Sequence, residues 1–271
     1  MIKTAVTLCR VAEAAAGPFV FHHDLATGFV KAAEHGFDAV ELFLPGPNAH
    51  SVAEIEALQA EYGLGVAAIG TGAGMVKYGL SLTDPDAGQR EKATQYILEM
   101  VEFAGRMQAP AILGSMQGRW GVEVSRDQAL GWLADALKVI GEAAGKHDVP
   151  FIYEPLNRYE TNLINRVGEA ADWVRANDLG NIVLLADMFH MNIEEVNVAD
   201  AMRAGGDLIG HVHYADSNRH AMGFGHTDAA PVIEALKEIA YDATLSAEIF
   251  PLPDADQAAA QTLKSIRSHL S

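Results

Sequence analysis

The sequence predicts an α/β protein, a single (β/α)8 TIM barrel spanning residues 1–271. Three observations carry that prediction. Short apolar, β-branched runs alternate with amphipathic segments of helical period along the chain. There are eight such pairs, with no linker or low-complexity tract between them, and a parallel sheet of eight strand–helix units at this length closes into a barrel. The residues after the first strand, RVAEAAAG, lack the glycine-rich turn that would mark the competing open, doubly wound sheet.

The elements follow in order. The first strand is 3–9 (KTAVTLC), and the helix 25–35 comes after it. Strand 38–44 (DAVELFL) leads to helix 51–62, and strand 65–70 (GVAAIG) to helix 86–108. Strand 110–114 (PAILG) precedes helix 125–147, and strand 149–154 (VPFIYE) precedes helix 167–178. Strand 181–187 (NIVLLAD) pairs with helix 194–204, strand 208–214 (LIGHVHY) with helix 229–240, and strand 244–250 (TLSAEIF) with the closing helix 255–269. Gly36, Gly63 and Gly180 sit just past helices, where a left-handed residue ends the turn. Cys9, the only cysteine, excludes an internal disulfide and reads as a small buried strand residue.

Composition narrows the function. Acidic residues number 36 against 19 basic ones, a formal net charge of −17, which repels a phosphate backbone and argues against nucleic acid as a partner. No apolar run is long enough to span a membrane, and the N-terminus has no signal-peptide pattern, so a cytoplasmic protein is expected.

In a barrel of this kind chemistry sits at the C-terminal ends of the strands. Strand 5 ends in Glu154, strand 6 in Asp187, strand 7 carries His213 near its end and strand 8 carries Glu248. The spacings of 33, 26 and 35 residues are each about one strand–helix unit, so four donors converge from consecutive strands. Glu154 and Glu248 lie inside apolar runs, where an unpaired buried carboxylate is costly. Three carboxylates and one imidazole suit one divalent cation, Mn²⁺ first, with Mg²⁺ or Co²⁺ as alternatives. His211 alternates with His213 through Val212, and the reading places His213 at the mouth and His211 toward the helix layer. Glu160, His190 and Arg219 stand near these ligands as candidate substrate contacts. Arg119 and Lys77, on earlier loops, are candidates to pair with a substrate carboxylate, since a guanidinium presents a fork suited to it. Trp120 either lines the mouth or caps the barrel, while His22 and His23 read as plain loop residues.

The segments EPLNRYETN, ADMFHMNIEE, HVHYADSNR, GFGHTD and SAEIFP resemble the xylose-isomerase-like sugar isomerases and epimerases, within them the ketose 3-epimerase branch. With IGTGAGMVKYGLSLTDP added, the likeness is greater still to the 5-keto-L-gluconate epimerases. The resemblance implies that Glu154, Asp187, His213 and Glu248 match metal ligands, that Glu154 and Glu248 match an acid/base pair, and that Glu160, His190 and Arg219 match substrate contacts. It implies a small ketose or keto-uronate substrate and a homo-oligomer of the kind relatives form.

The corresponding chemistry is epimerisation beside a carbonyl. A cation polarises the ketone, one carboxylate removes the adjacent proton to leave an enediolate, and a carboxylate on the opposite face returns a proton. Carbon–carbon cleavage and re-addition would invert the same centre, and the sequence is compatible with either. Two rivals share the superfamily: an aldose–ketose or inosose isomerase or dehydratase with the same metal site, and a DNA-repair endonuclease. The endonuclease needs further histidine ligands after strands 2 and 3, and none stands there.

Overall fold

A computed structural model describes residues 2–270; residues 1 and 271 of the predicted span lie outside the described residues. Eight parallel strands, β1 (Lys3–Cys9), β2 (Ala39–Phe43), β3 (Gly65–Gly70), β4 (Ala111–Leu113), β5 (Phe151–Tyr153), β6 (Ile182–Asp187), β7 (Ile209–His213) and β8 (Thr244–Ala247), pair in chain order, and β8 pairs back with β1 to close the barrel. The predicted fold class is therefore the observed one.

Ten α-helices are seen among the described residues, and their starts are set largely by capping side chains. Asp24 caps α1 (Leu25–His35) and Ser51 caps α2 (Val52–Tyr62), each by accepting a backbone N–H three residues on. α3 (Ala73–Tyr78) follows β3. Asp86 caps α4 (Ala87–Gly105), and Ser125 with Gln128 forms a reciprocal capping box at α5 (Arg126–Gly145). α6 (Val167–Ala176) leads to β6, and Asp187 then caps α7 (Met188–Glu194). Asn197 caps α8 (Val198–Gly205), and α9 (Ala230–Glu238) and α10 (Ala255–Leu270) complete the shell. None of these helices is long and apolar enough to cross a membrane.

All eight predicted helices are present, with α1 at its predicted bounds and most others starting or ending a few residues inside theirs, but α3 and α7 were not anticipated. At six and seven residues they are too short for a helical period to register in the sequence. Gly36 and Gly63 do adopt the left-handed conformation. The prediction fails for Gly180: α6 ends earlier, and Asp178 takes the left-handed position (φ 54°) while Leu179 N–H closes the turn on Val174 O.

The barrel interior is divided. On the β3–β6 side, Ala68, Ile112, Ile152 and Leu185 pack as one dry cluster. On the other side, β7, β8, β1 and β2 contribute buried His211, His213, Ser246, Thr7 and Glu41. The expected separation of His211 from His213 is wrong for a simple reason. Residues two apart on a strand share a face, so both imidazoles point inward and Val212 joins the core under the helices.

Two register shifts set that phase. Between β2 and β3 the pairing steps from Val40↔Val66 to Glu41↔Ala68, leaving Ala67 extra. Between β6 and β7 it steps from Leu184↔Ile209 to Leu185↔His211, leaving Gly210 extra. A Cβ on Gly210 would fall 2.5 Å from Val183 Cγ2, and the branched valine has little freedom to turn aside. Gly210→Ala is expected to lower unfolding free energy by about 1–3 kcal/mol in urea titrations; wild-type stability in that variant would show that the contact yields without cost.

Candidate active site

A cavity of about 390 Å³ opens at the C-terminal ends of the strands. Its polar floor includes Glu41, Glu154, His190, His213, Arg219 and Glu248, and its walls include Phe19, Phe43, Ile112, Leu156, Phe189 and Phe250. The polar groups come from strand ends. Asp187 and His213 are the last residues of β6 and β7, while Glu154 and Glu248 stand immediately after β5 and β8.

His213 Nδ1 is the centre of the arrangement. It lies 3.4 Å from Asp187 Oδ2, 3.4 Å from Glu248 Oε2 and 3.7 Å from Glu154 Oε1. Glu154 Oε1 and His213 Nδ1 are both buried without a hydrogen-bond partner. Orphaned buried polar atoms are rare in native proteins and call for an explanation. Donors set about 2.1 Å from a shared tetrahedral ion stand about 3.4 Å from one another, so these spacings suit a cation between them. Three carboxylates and an imidazole are the donor types a hard or borderline divalent ion takes. The residues present therefore fit a metal.

Charge crowding shows in the proton affinities. Burial, reinforced by Glu248 and Asp187, holds the Glu154 carboxyl well above the usual carboxylate range. Burial also opposes the charge on Asp187, but Arg219 and His190 outweigh it and hold that carboxyl low. For His213, burial works against protonation, yet Glu41 and Glu248 raise its proton affinity well above the ordinary value.

Arg219 supplies the balancing cation. Its Nη2 donates to Asp187 Oδ2 at 3.0 Å and to Glu248 Oε2, and its guanidinium sits 4.8 Å over the Phe189 ring. Arg219 holds this place with a left-handed backbone (φ 59°), in a loop organised by Asp216. That buried carboxylate accepts N–H groups from Ser217, Gly223, Gly225 and Thr227. Although burial opposes its charge, these bonds keep Asp216 below the usual carboxylate range.

His190 enters on α7, whose first turn Asp187 caps. Asn157 orients its ring. Asn157 Oδ1 accepts Tyr159 N–H at 2.9 Å, so the amide nitrogen is the group that reaches His190 Nδ1 at 2.7 Å and Glu160 Oε1 at 3.0 Å. The ring Nε2 faces Arg219 Nη1 (3.4 Å), Asp187 Oδ2 (3.6 Å) and Glu154 Oε1 (3.7 Å). Burial, the largest influence, lowers its proton affinity and keeps it neutral.

The structure thus brings Glu154, Asp187, His213 and Glu248 to one point, with His190, Arg219 and Glu160 around it. It does not bring Arg119 or Lys77 there. Arg119 Nη1 donates to Tyr159 O at 3.2 Å, Lys77 Nζ lies 5.5 Å over the Tyr78 ring, and neither lines the cavity. Arg119 as a substrate contact is therefore corrected: its loop turns the guanidinium onto the neighbouring β5–α6 loop. Trp120 resolves as a loop clasp, with its backbone N–H and Nε1 both bonded to Asn162. Sequence reasoning missed Glu41 and Asn157. Glu41 carried the same signal as Glu154, a carboxylate inside an apolar strand (AVELF), whereas Asn157 had none beyond its place in the loop.

Residues 29–269 match the family model described as xylose isomerase-like TIM barrel. A D-psicose 3-epimerase of Ruminiclostridium cellulolyticum is 30% identical over 244 residues, covering 89% of this chain and 73% of that protein. The crystal structure of a D-allulose 3-epimerase from Methylomonas sp. superposes with a TM-score of 0.84 at 25% identity, covering 99% of this chain and 98% of the other. That of a 3-keto-D-glucoside 4-epimerase from E. coli gives 0.81 at 25% identity, covering 99% and 100%.

Glu41 and Glu248 raise the proton affinity of His213 against the effect of burial, so a cation that takes this imidazole as a ligand competes with protons. Mn²⁺ affinity is expected to rise with pH from 6 to 8, with proton release seen by calorimetry in two buffers. An excess of about 100 times the dissociation constant should add about 2.7 kcal/mol to unfolding free energy, reversed by a chelator. PH-independent binding would show that His213 is not a ligand.

Proposed function

This chain belongs to the xylose isomerase-like TIM-barrel family, and on that premise we propose that it is a divalent-metal-dependent epimerase inverting the carbon next to the carbonyl of a ketose or keto-sugar. One observation carries the reading: Glu154 and Glu248, from strands on different sides of the ring, both approach the same imidazole nitrogen in a buried, substrate-sized cavity. A bound cation, Mn²⁺ by preference, would be held by Glu154, Asp187, His213 and Glu248 and would polarise the substrate carbonyl so that its neighbouring C–H becomes acidic.

The protein groups then divide the work. One of the two glutamates takes the proton from that carbon, and the other, reaching the substrate from a different side, returns one; the stereocentre inverts when the faces differ. Arg219 and His190 stand beside these carboxylates, where the guanidinium would meet negative charge developing on a substrate oxygen. Glu160, partly exposed at the rim and tethered by Asn157, is placed to accept a hydroxyl. The apolar walls keep water from the reacting carbon.

The relatives named as 3-epimerases and as a 4-epimerase are compatible with one chemistry, since each named position can adjoin a carbonyl, at C2 in a ketose and at C3 in a 3-keto sugar. The cavity favours an uncharged substrate over the keto-uronate class. Its one arginine is already engaged by Asp187 and Glu248, and Arg119 and Lys77 lie elsewhere.

Incubation of Mn²⁺-loaded protein in D₂O with D-fructose, D-tagatose, tagaturonate, 5-keto-gluconate, fructuronate and an inosose, followed by NMR, tests the proposal. Epimer formation with deuterium beside the carbonyl is expected, fastest with an uncharged ketose. Glu154→Gln and Glu248→Gln should each lower turnover by about 10²–10⁴-fold. Inversion without deuterium would point to carbon–carbon cleavage, and no epimer from any substrate by the metal-loaded protein would remove the assignment.

A further inference from the structure

Beneath the mouth, one carboxylate holds both histidines of β7. Glu41 Oε1 lies 3.0 Å from His213 Nε2, and Glu41 Oε2 lies 2.8 Å from His211 Nε2. All three side chains are buried, on neither side of them is there an arginine or lysine ion pair, and the two imidazoles meet edge to face at 5.5 Å. The chemistry proposed above uses only the opposite nitrogen of His213.

An ionised carboxylate accepts hydrogen bonds and donates none, so each Nε2 facing Glu41 carries a proton. With its proton on Nε2, a neutral His213 presents a lone pair at Nδ1, the atom that faces Asp187, Glu154 and Glu248. The other tautomer would set a lone pair against the Glu41 carboxylate and an N–H where a cation needs a donor. We propose that Glu41 is a positioning residue for the metal: it selects the Nε2–H tautomer of His213, fixes the ring, and strengthens Nδ1 as a ligand. His211 occupies the second carboxylate oxygen and so prevents Glu41 from rotating away from His213. The same three donors could in principle hold a second ion, but both oxygens already stand at hydrogen-bond distance from an imidazole nitrogen, which favours the positioning role.

This inference rests on the reading that Glu154, Asp187, His213 and Glu248 hold an ion, and the experiment separates the two. Mn²⁺ binding is followed by electron paramagnetic resonance in the wild type, Glu41→Gln, Glu41→Ala and His211→Gln, with circular dichroism confirming the fold. Histidine ¹⁵N spectra of the Mg²⁺-loaded proteins report the site of protonation. One ion per wild-type chain is expected, with the Nε2 proton of His213 protected from exchange. Glu41→Gln and Glu41→Ala should weaken binding by about 10–100-fold, as loss of a carboxylate behind a ligating histidine does elsewhere. His211→Gln, whose amide can still donate to Glu41, should change affinity far less. Folded Glu41 variants that bind Mn²⁺ as the wild type does would overturn the inference while leaving the metal site intact. So would two ions per wild-type chain with one lost on Glu41 substitution. A folded wild type that binds no ion would overturn this inference and the proposed function together.

Discussion

Three carboxylate oxygens crowd within 3.7 Å of His213 Nδ1, in the buried end of a closed barrel. Nothing about packing asks for such a cluster, because like charges in a low-dielectric interior repel strongly. Its existence constrains what surrounds it. Arg219 must bring a positive charge from the β7–α9 loop, and it does so from a left-handed backbone that only the Asp216-centred loop holds in place. α7 must begin at Asp187, because the oxygen of that residue not facing the cluster caps the helix that delivers His190.

Backbone irregularities serve the same constraint. A regular strand alternates faces strictly, so one extra residue decides which set of side chains points inward. Ala67 and Gly210 are those extra residues, and each lies beside a strand that carries an inward polar group. The side of the barrel with neither requirement, around Ile112 and Ile152, is packed dry. The interior therefore combines an apolar cluster from β3–β6 with polar side chains from β7, β8, β1 and β2, and Glu154 and Asp187 add charge at the ends of β5 and β6.

Much of this was legible in the chain. Eight alternations of period announced the barrel, and polar residues at successive strand ends, with Glu154 and Glu248 inside apolar runs, announced Glu154, Asp187, His213 and Glu248. The remainder was hidden for separable physical reasons. Glu41 is remote in sequence from its partners His211 and His213, and only barrel closure brings β2 opposite β7. His211 was misplaced by a parity error that strand geometry corrects. α3 and α7 exist through caps and tertiary contacts, with too few residues for a pattern. Arg119 looked like a ligand for an acid because guanidinium suits carboxylates, but a long side chain on a loop goes where its neighbours offer an acceptor, here Tyr159 O.

That last failure marks a division of labour within the site. Glu154, Asp187, His213 and Glu248 stand at strand ends and His190 one turn beyond β6, whereas Arg219 reaches them from the β7–α9 loop. Arg119 and Trp120 belong to the 115–124 loop, which is tied to the neighbouring β5–α6 loop through Tyr159 and Asn162. Chemistry built on strands is preserved when loops change, whereas selectivity built on loops is free to drift. Phe19, Phe43 and Phe250 line the same cavity as Glu154, His213 and Glu248 without adding charge to it, so an apolar wall faces a charged floor.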